Sequence, residues 1–413
     1  MGVGQALSLS TLVNDAIKNS PELHLAQENQ HQSEIQLSKD RAGFYPNVSL
    51  IASLGGEGTE TIPTDTSVES TMYVLQPQQA GVSATLNLFK GFQTVNTIKQ
   101  HKYELNAKEI NYRNTLNTIK FNTFEASMAV IISQDNYELS KKHLKLAQKT
   151  YDVVNAKYKI GIGNKPDVAM ALAMVFKEKK KLSNAKSAIL KSRSLFFQQV
   201  GIAAPDKIEI PAVPDALLPS SFEELQNRMS KADNSLAAAV SMERSAAAGV
   251  AVSKGAFSPT IDLDVIYEKS DAAYGQDSVE NHQGAFLTLS WNLFNGGADH
   301  ASYRQAISNK MSASDTIRMI KKQLTIEAIN NWQVYQTIKD QLPLSLSEKN
   351  HLNKAYLGFI KQVSVGRKNI SELLNAERSY IEADDNYLSQ QTALMVSSYK
   401  LCELTGDLSK LIK

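Results

Sequence analysis

The chain's seven histidines, 42 acids and single cysteine form no arrangement that does covalent or metal chemistry. The histidines, among them His24, His31 and His101, lie scattered on polar helix faces without metal-ligand spacing, and surface positions are expected for them. No glycine-rich phosphate loop is present. The chain is therefore read as no enzyme, with no cofactor and no metal, and any energy for work must come from a partner. Cys402 cannot close an intramolecular disulfide and reads as a small packing residue on a helix. Two acids hold an informative place, Asp167 and Glu372. Each follows a glycine turn and enters the first turn of a helix, where the dipole favours a carboxylate. The chemistry on offer is electrostatic.

The elements that carry these acids are duplicated. Asn87-Leu88-Phe89-Lys90-Gly91 returns as Asn292-Leu293-Phe294-Asn295-Gly296, an offset of 292 − 87 = 205. Gly161 returns as Gly366 and Gly201 as Gly406 at the same offset. Phe44, Pro46 and Leu50 match Phe257, Pro259 and Leu263 at an offset of 257 − 44 = 213. Fixed spacing with drifting residues means that length is conserved between the halves, as in a rod with defined ends.

From Phe92 to Ile160 there is neither glycine nor proline. At 1.5 Å per residue a helix of that length spans about 100 Å. Tyr137, Leu144, Tyr151 and Tyr158 repeat every seven residues, and so do Ile132, Leu139, Leu146, Val153 and Ile160. The two seams lie about 200° apart around the axis, so the helix is expected to have a neighbour on each flank. The second rod, from Ala298 to Val365, contains Pro343 and Gly358, and Pro343 is expected to kink it or open it locally. Leu9 to Asn19 reads as a short amphipathic helix. Ser20-Pro21-Glu22 then restarts a helix with Ser20 as N-cap, and Asp233 is its counterpart.

Four segments alternate with a period of two: Val48, Leu50 and Ala52; Val82, Ala84, Leu86 and Leu88; Ile261, Leu263, Val265 and Tyr267; Leu287, Leu289, Trp291 and Leu293. They predict strands with one apolar and one polar face. The polar stretches from Gly55 to Gln79 and from Lys269 to Gln283 read as long exposed loops. The net charge of +2 gives no reason to expect nucleic acid, and the run Lys177, Lys179, Lys180 and Lys181 reads as a solvated helix face. No apolar run reaches the length of a transmembrane helix. Met1 to Gly4 lack the apolar core of a secretory signal, which leaves the compartment open.

Four amphipathic strands cannot close a barrel alone, and hydrocarbon forbids an open edge. Paired with copies of itself the chain can close, with alternation apolar-out and polar-in as in outer-membrane barrels. Val82, Leu86, Leu88, Leu287, Leu289, Trp291 and Leu293 would then form the lipid face, with Trp291, Phe89 and Phe294 near an interfacial girdle. The parts are 1–45, N-terminal helices of the first repeat; 46–90, its β-hairpin; 91–201, its long helical hairpin; and 202–221, a Pro-rich linker. Then come 222–258, helices of the second repeat; 259–295, its β-hairpin; 296–406, its helical hairpin; and a tail, 407–413.

The order of elements and the Asn-Leu-Phe-x-Gly strand ends resemble the TolC family of outer-membrane channel proteins. So do Tyr158-Lys159-Ile160-Gly161…Asp167-Val168, Val363-Ser364-Val365-Gly366…Glu372-Leu373-Leu374, and Ser20-Pro21-Glu22-Leu23. The likeness runs from about Leu9 to Leu408. It implies a mainly α chain with a transmembrane β-barrel portion, assembled as a homotrimer in the bacterial outer membrane with a long periplasmic tunnel. It also implies a periplasmic adaptor (membrane fusion) protein and an inner-membrane pump, an ABC exporter or a proton-driven transporter, as partners. The resemblance places the tip at the turns of Gly161, Gly163 and Gly366. It carries the gate roles onto Asp167, Glu372, Asn375, Lys368, Val363 and Tyr158. Three positions depart from the family: Asn375 replaces an acid, Lys368 an arginine and Val363 a tyrosine. Lysine cannot make arginine's forked contact, and valine has no hydroxyl to donate. A ring of three Glu372 carboxylates could still favour cations. The family serves drug efflux and type I secretion, and the overall resemblance leans to secretion. The residue pattern leaves a second class open, a soluble coiled-coil interaction protein with small β-hairpins.

Overall fold

The computed structural model describes residues 6–61, 71–271, 278–365 and 367–412. Two long helices dominate it. α3 spans Gln93–Lys159 and α7 spans Ala298–Ser364, 67 residues each, so both ends are displaced by 298 − 93 = 205. Before α3 come β1 (Leu7–Ser8), α1 (Leu9–Asn19), α2 (Pro21–Arg41), β2 (Asn47–Leu54), β3 (Glu57–Thr61), β4 (Thr71–Leu75) and β5 (Gln78–Lys90). After it come α4 (Lys165–Val200), β6 (Ile208–Glu209), α5 (Phe222–Ala232), α6 (Asn234–Gly255), β7 (Thr260–Asp271) and β8 (Val279–Ser290). α8 (Ile370–Leu404) and α9 (Leu408–Leu411) follow α7.

The caps fall where side-chain chemistry puts them. The Ser20 hydroxyl accepts from the Leu23 N–H at 3.2 Å and the Asp233 carboxylate from the Leu236 N–H at 2.6 Å, so both repeats open their second helix alike. The two helices end at Arg41 and Gly255, short of Pro46 and Pro259. Pro343 does not end α7, which is helical on both sides of it.

Contacts divide the chain into two discontinuous units, across the boundaries drawn from the repeats. One comprises Met1–Gln27, Ile110–Leu236 and Met319–Lys413; the other comprises Glu28–Glu109 and Ala237–Arg318.

The second unit holds an antiparallel four-stranded sheet in the order β2-β5-β7-β8. β7 and β8 pair without a break from Thr260↔Ser290 to Asp271↔Val279. Of the expected long loop from Lys269 to Gln283, the residues up to Asp271 and those from Val279 are strand, and 272–277 lie outside the described residues. Likewise the stretch after Gly55 forms the β3–β4 hairpin, because alternating residues there find a ladder. Asp65 and Glu69 of that stretch lie outside the described residues. α6 turns buried Ala238, Ala239, Ser241, Ser245 and Ala248 inward, and small side chains let α3 come close enough for Ser241 to donate to Asn106 at 2.7 Å and Ser245 to Glu104 at 2.9 Å. His101 of α3 pairs with Asp40 of α2. At the junction of strand and helix Gly91 has φ +56°, and a Cβ there would stand 2.2 Å from the Gly255 carbonyl oxygen. Only glycine permits that approach.

The first unit is built of helices around several apolar clusters. Phe124 stacks on Tyr399 with centroids 3.7 Å apart, among Leu9, Val13, Phe121 and Met128. The Pro-rich linker is part of this core. Ile210 and Val213 pack on the cluster, and the Tyr399 hydroxyl donates to the Pro211 carbonyl at 2.7 Å. Cys402 is buried nearby, and burial pushes its thiol up to about 11, an inert packing group as expected. No helix among the described residues is long and apolar enough to cross a membrane.

Candidate functional site

Two places collect the residues singled out by sequence: the face of the sheet and the turns that close the long helical hairpins. On the sheet, register decides which side chains share a side. Val48, Leu50, Val82, Leu86, Leu263, Val265, Tyr267, Leu287 and Leu289 fall on one face, and Ser49, Ser83, Thr85, Asp262, Asp264 and Thr288 on the other. The polar face is internally bonded: Thr85 and Thr288 donate to Asp264 at 2.8 and 3.1 Å, and Asn87 donates to Asp262 at 2.7 Å. The apolar face is bare, with Leu50 77% and Leu287 69% exposed. Three of the residues expected on the lipid face stand outside the regular ladder. The ladder shifts register between Asn87 and Phe89, so Leu88 is a bulge residue opposed by nothing and Phe89 takes the place facing Ile261. Trp291 and Leu293 lie beyond the end of β8, and the Trp291 indole N–H donates to the Phe257 carbonyl at 3.1 Å.

At the first hairpin turn α3 ends in a Schellman arrangement. The Ile162 N–H donates to the Lys157 carbonyl and that of Gly161 (φ +80°) to Tyr158, both at 3.0 Å. A Cβ on Gly163 would meet the Tyr158 backbone nitrogen at 3.0 Å, so the chain passes tightly under the helix end. Asn164 caps α4 by accepting from the Asp167 N–H at 2.9 Å, which puts Asp167 in the first turn. The second turn repeats this design, with the Arg367 N–H on the Gln362 carbonyl at 2.9 Å. Gly366 itself lies outside the described residues.

Glu372 closes a capping box with Asn369, accepting from the Asn369 N–H at 3.3 Å. The Lys368 ammonium reaches Glu372 at 3.0 Å and lies 5.6 Å from the centre of the Phe359 ring. The hydrogen bond from Lys368, aided by that from Asn369, holds the Glu372 carboxyl below its ordinary value. The acid is cap and ion-pair partner at once. Asp167 sits at the equivalent place of the other hairpin, 372 − 167 = 205 residues earlier. Among the described residues Lys368 pairs with Glu372 and not with Asp167 of its own chain. Asn375 and Tyr158 are exposed, while Val363 is fully buried with Val154, Tyr356, Leu373 and Leu374. Where the resemblance implies a tyrosine, this chain has a packing residue.

Sequence reasoning missed a polar cluster inside the helices above these turns. The two seams of α3 are half-buried for most of their length, with Leu139 buried and Tyr158 and Ile160 exposed. The buried stripe between them is His143, Ala147, Thr150, Val154 and Lys157, at helical spacing, and Leu139 of the second seam joins it. His143 is 2% exposed, contrary to the expected surface position, because its Nε2 lies 3.2 Å from Asp384 of α8. Lys349 of α7 reaches the same carboxylate at 2.7 Å, and Lys181 of α4 reaches Asp385 at 3.1 Å. Burial raises Asp384, but hydrogen bonds from His143 and Lys349 outweigh it and keep the carboxyl below its ordinary value. Of the lysine run, Lys177, Lys179 and Lys180 are exposed as expected, and Glu178 among them is buried. The signal that could have found the stripe is His143 with Leu139, Ala147, Thr150 and Val154 at i, i+4, i+7 spacing.

The duplicated hairpins, the two-faced sheet and the glycine turns can now be set beside known proteins. The model of a family described as outer membrane efflux protein matches residues 12–195 and 225–407, one match per repeat. The chain belongs to the outer membrane efflux protein family. A curated relative, the outer membrane efflux protein BepC of Brucella suis biovar 1 (strain 1330), is 22% identical over 330 residues, covering 80% of this chain and 72% of BepC. The outer-membrane channel OprN superposes with a TM-score of 0.85 at 15% identity, over 97% of this chain and 90% of that one. The outer membrane protein VceC of Vibrio cholerae gives 0.83 at 16% identity, over 96% of both chains. As an outer membrane efflux family member the chain is an outer-membrane protein and not an enzyme, and its fold is that of the outer-membrane channels.

Proposed function

We propose that this chain is one subunit of a passive homotrimeric exit duct that crosses the outer membrane and extends through the periplasm. The observation that carries this is the four-stranded sheet with a bare apolar face and two edges, β2 and β8, that pair with no further strand among the described residues. Edges of that kind are tolerated in lipid only when another strand covers them. Three copies joined β8 to β2 form a closed wall of twelve strands, with Asp262 and Asp264 turned to the lumen. The hairpin turns are its periplasmic end, docking an adaptor and an inner-membrane pump that supplies the energy. The cargo reading leans to type I secretion, with small-molecule efflux as the alternative. Light scattering or native mass spectrometry of the detergent-extracted protein is expected to give a trimer and no stable folded monomer. A folded monomer would sink the proposal.

In the duct, the turns form the gate. Three Glu372 carboxylates ring the constriction, and Lys368 moderates each, with Asp167 of a neighbouring helix as the second acceptor. An exposed pair of this kind contributes little by itself, yet threefold symmetry repeats it. Lys368→Glu replaces attraction by repulsion at the 3.0 Å contact with Glu372. Conductance of single trimers in planar bilayers is expected to rise for this variant, and Glu372→Gln is expected mainly to lower cation preference. Wild-type amplitude and selectivity in both would leave these residues as helix caps only.

A further inference from the structure

The buried cluster above the turns contains a carboxyl group that the gate does not use. Glu377 of α8 is 0% and Glu178 of α4 1% exposed, and α4 and α8 pack against each other. Among the described residues neither oxygen of Glu377 has a partner at hydrogen-bond distance, nor has Oε2 of Glu178, and the other Glu178 oxygen lies 3.9 Å from the Lys181 ammonium. The groups around them come from all four helices: His143 and Thr150 of α3, Lys181 of α4, Lys349 and Tyr356 of α7, and Tyr380, Asp384 and Asp385 of α8. The basic groups among them are engaged elsewhere. Lys349 and His143 serve Asp384, and Lys181 serves Asp385. The Thr150 hydroxyl is shared with Tyr356 at 3.2 Å.

An ionised, unpaired carboxylate in such a place is strongly disfavoured, so the packed arrangement selects the neutral acid. We propose that Glu377 is a proton-operated latch between the two helical hairpins: with its proton it holds α8 against α4, and releasing the proton to solvent drives them apart. In the duct this loosens the helices above the gate, a consequence that rests on the function proposed above. The direction follows from linkage. Burial pushes the Glu377 carboxyl up to about 7; the Thr150 hydroxyl, beyond hydrogen-bond distance, draws it back only in part, the neighbouring Glu178 charge adds to the rise, and His143 opposes it. When the helices part, the carboxyl returns to its ordinary value of about 4.5. A group raised in the packed state lends stability that is fully present below about 4.5 and is lost as pH rises through about 7.

The test is hydrogen exchange of the full-length protein in detergent at acidic and mildly alkaline pH, corrected for intrinsic rates and followed in the peptides around Glu178 and Glu377. Protection in the wild type is expected to fall about tenfold or more as the pH rises. Glu377→Gln should keep the acidic level of protection at both pH values. Glu178→Gln, which removes the neighbouring charge, should move the transition to lower pH, and it tests the latch even if Glu377→Gln fails to fold. Protection independent of pH in the wild type, or an unchanged fall in Glu377→Gln, overturns the latch. Bilayer recordings across the same pH range separate the two claims. Absence of conductance in every variant would remove the duct and leave exchange alone to judge the latch.

Discussion

Leu287→Arg is expected to destabilise the assembled protein by about 2–4 kcal/mol, the cost of arginine near the bilayer midplane of a β-barrel. Thr288→Arg, one residue away, is expected to change stability by no more than about 0.5 kcal/mol. The two positions differ only in the side of the sheet they occupy. Leu287 stands opposite Leu263 on the bare apolar face, whereas Thr288 stands opposite Asp262 and donates to Asp264 at 3.1 Å. An arginine at 288 therefore enters an acidic, wet environment and gains partners, while one at 287 faces hydrocarbon. Trimer yield in membranes and denaturant unfolding of the extracted protein measure the difference. Equal damage from both would indicate a sheet buried on both faces, and the lipid-facing assignment would be lost.

Phe124→Ala is expected to cost about 3–5 kcal/mol, the usual range for removing a fully buried aromatic ring. Phe124 has no exposed surface and stacks on Tyr399 at an interplanar angle of 7°. It thereby supports the ring whose hydroxyl ties down Pro211 in the linker between the repeats. The loss should appear as a lower denaturant midpoint with cooperative unfolding retained. A change under about 1 kcal/mol would mean that the cluster collapses onto the cavity and that the linker is held by its other contacts.

Much of the fold could be read along the chain because it is written in local rules. The absence of glycine and proline after Phe92 and the returns of Gly161 and Gly201 fix helix length, and the structure reproduces the 205-residue offset at both ends of α3 and α7. Ser20 and Asp233 announce their caps through their own side chains. Alternation located all four strands of the sheet. It misplaced Leu88, Trp291 and Leu293 because a bulge and a strand end depend on what the neighbouring strand offers. Within the polar runs read as loops, 57–61, 71–75, 269–271 and 279–283 are strand for the same reason. A ladder satisfies backbone groups whatever the side chains are.

By itself, then, the sequence determined the duplicated architecture, the two-faced strands and the glycine turns that place Asp167 and Glu372 at helix starts. All of these rest on interactions between residues a few positions apart. Only the tertiary structure decided which polar groups are buried and who their partners are. It brought His143 to Asp384 across 241 positions, turned Glu178 inward from a lysine-rich face, and left both Glu377 oxygens without a hydrogen-bond partner among the described residues. A polar residue on a helix carries the same local signal whether it faces water or another helix. Its burial is fixed when distant helices pack, and with it the energy at which it holds a proton.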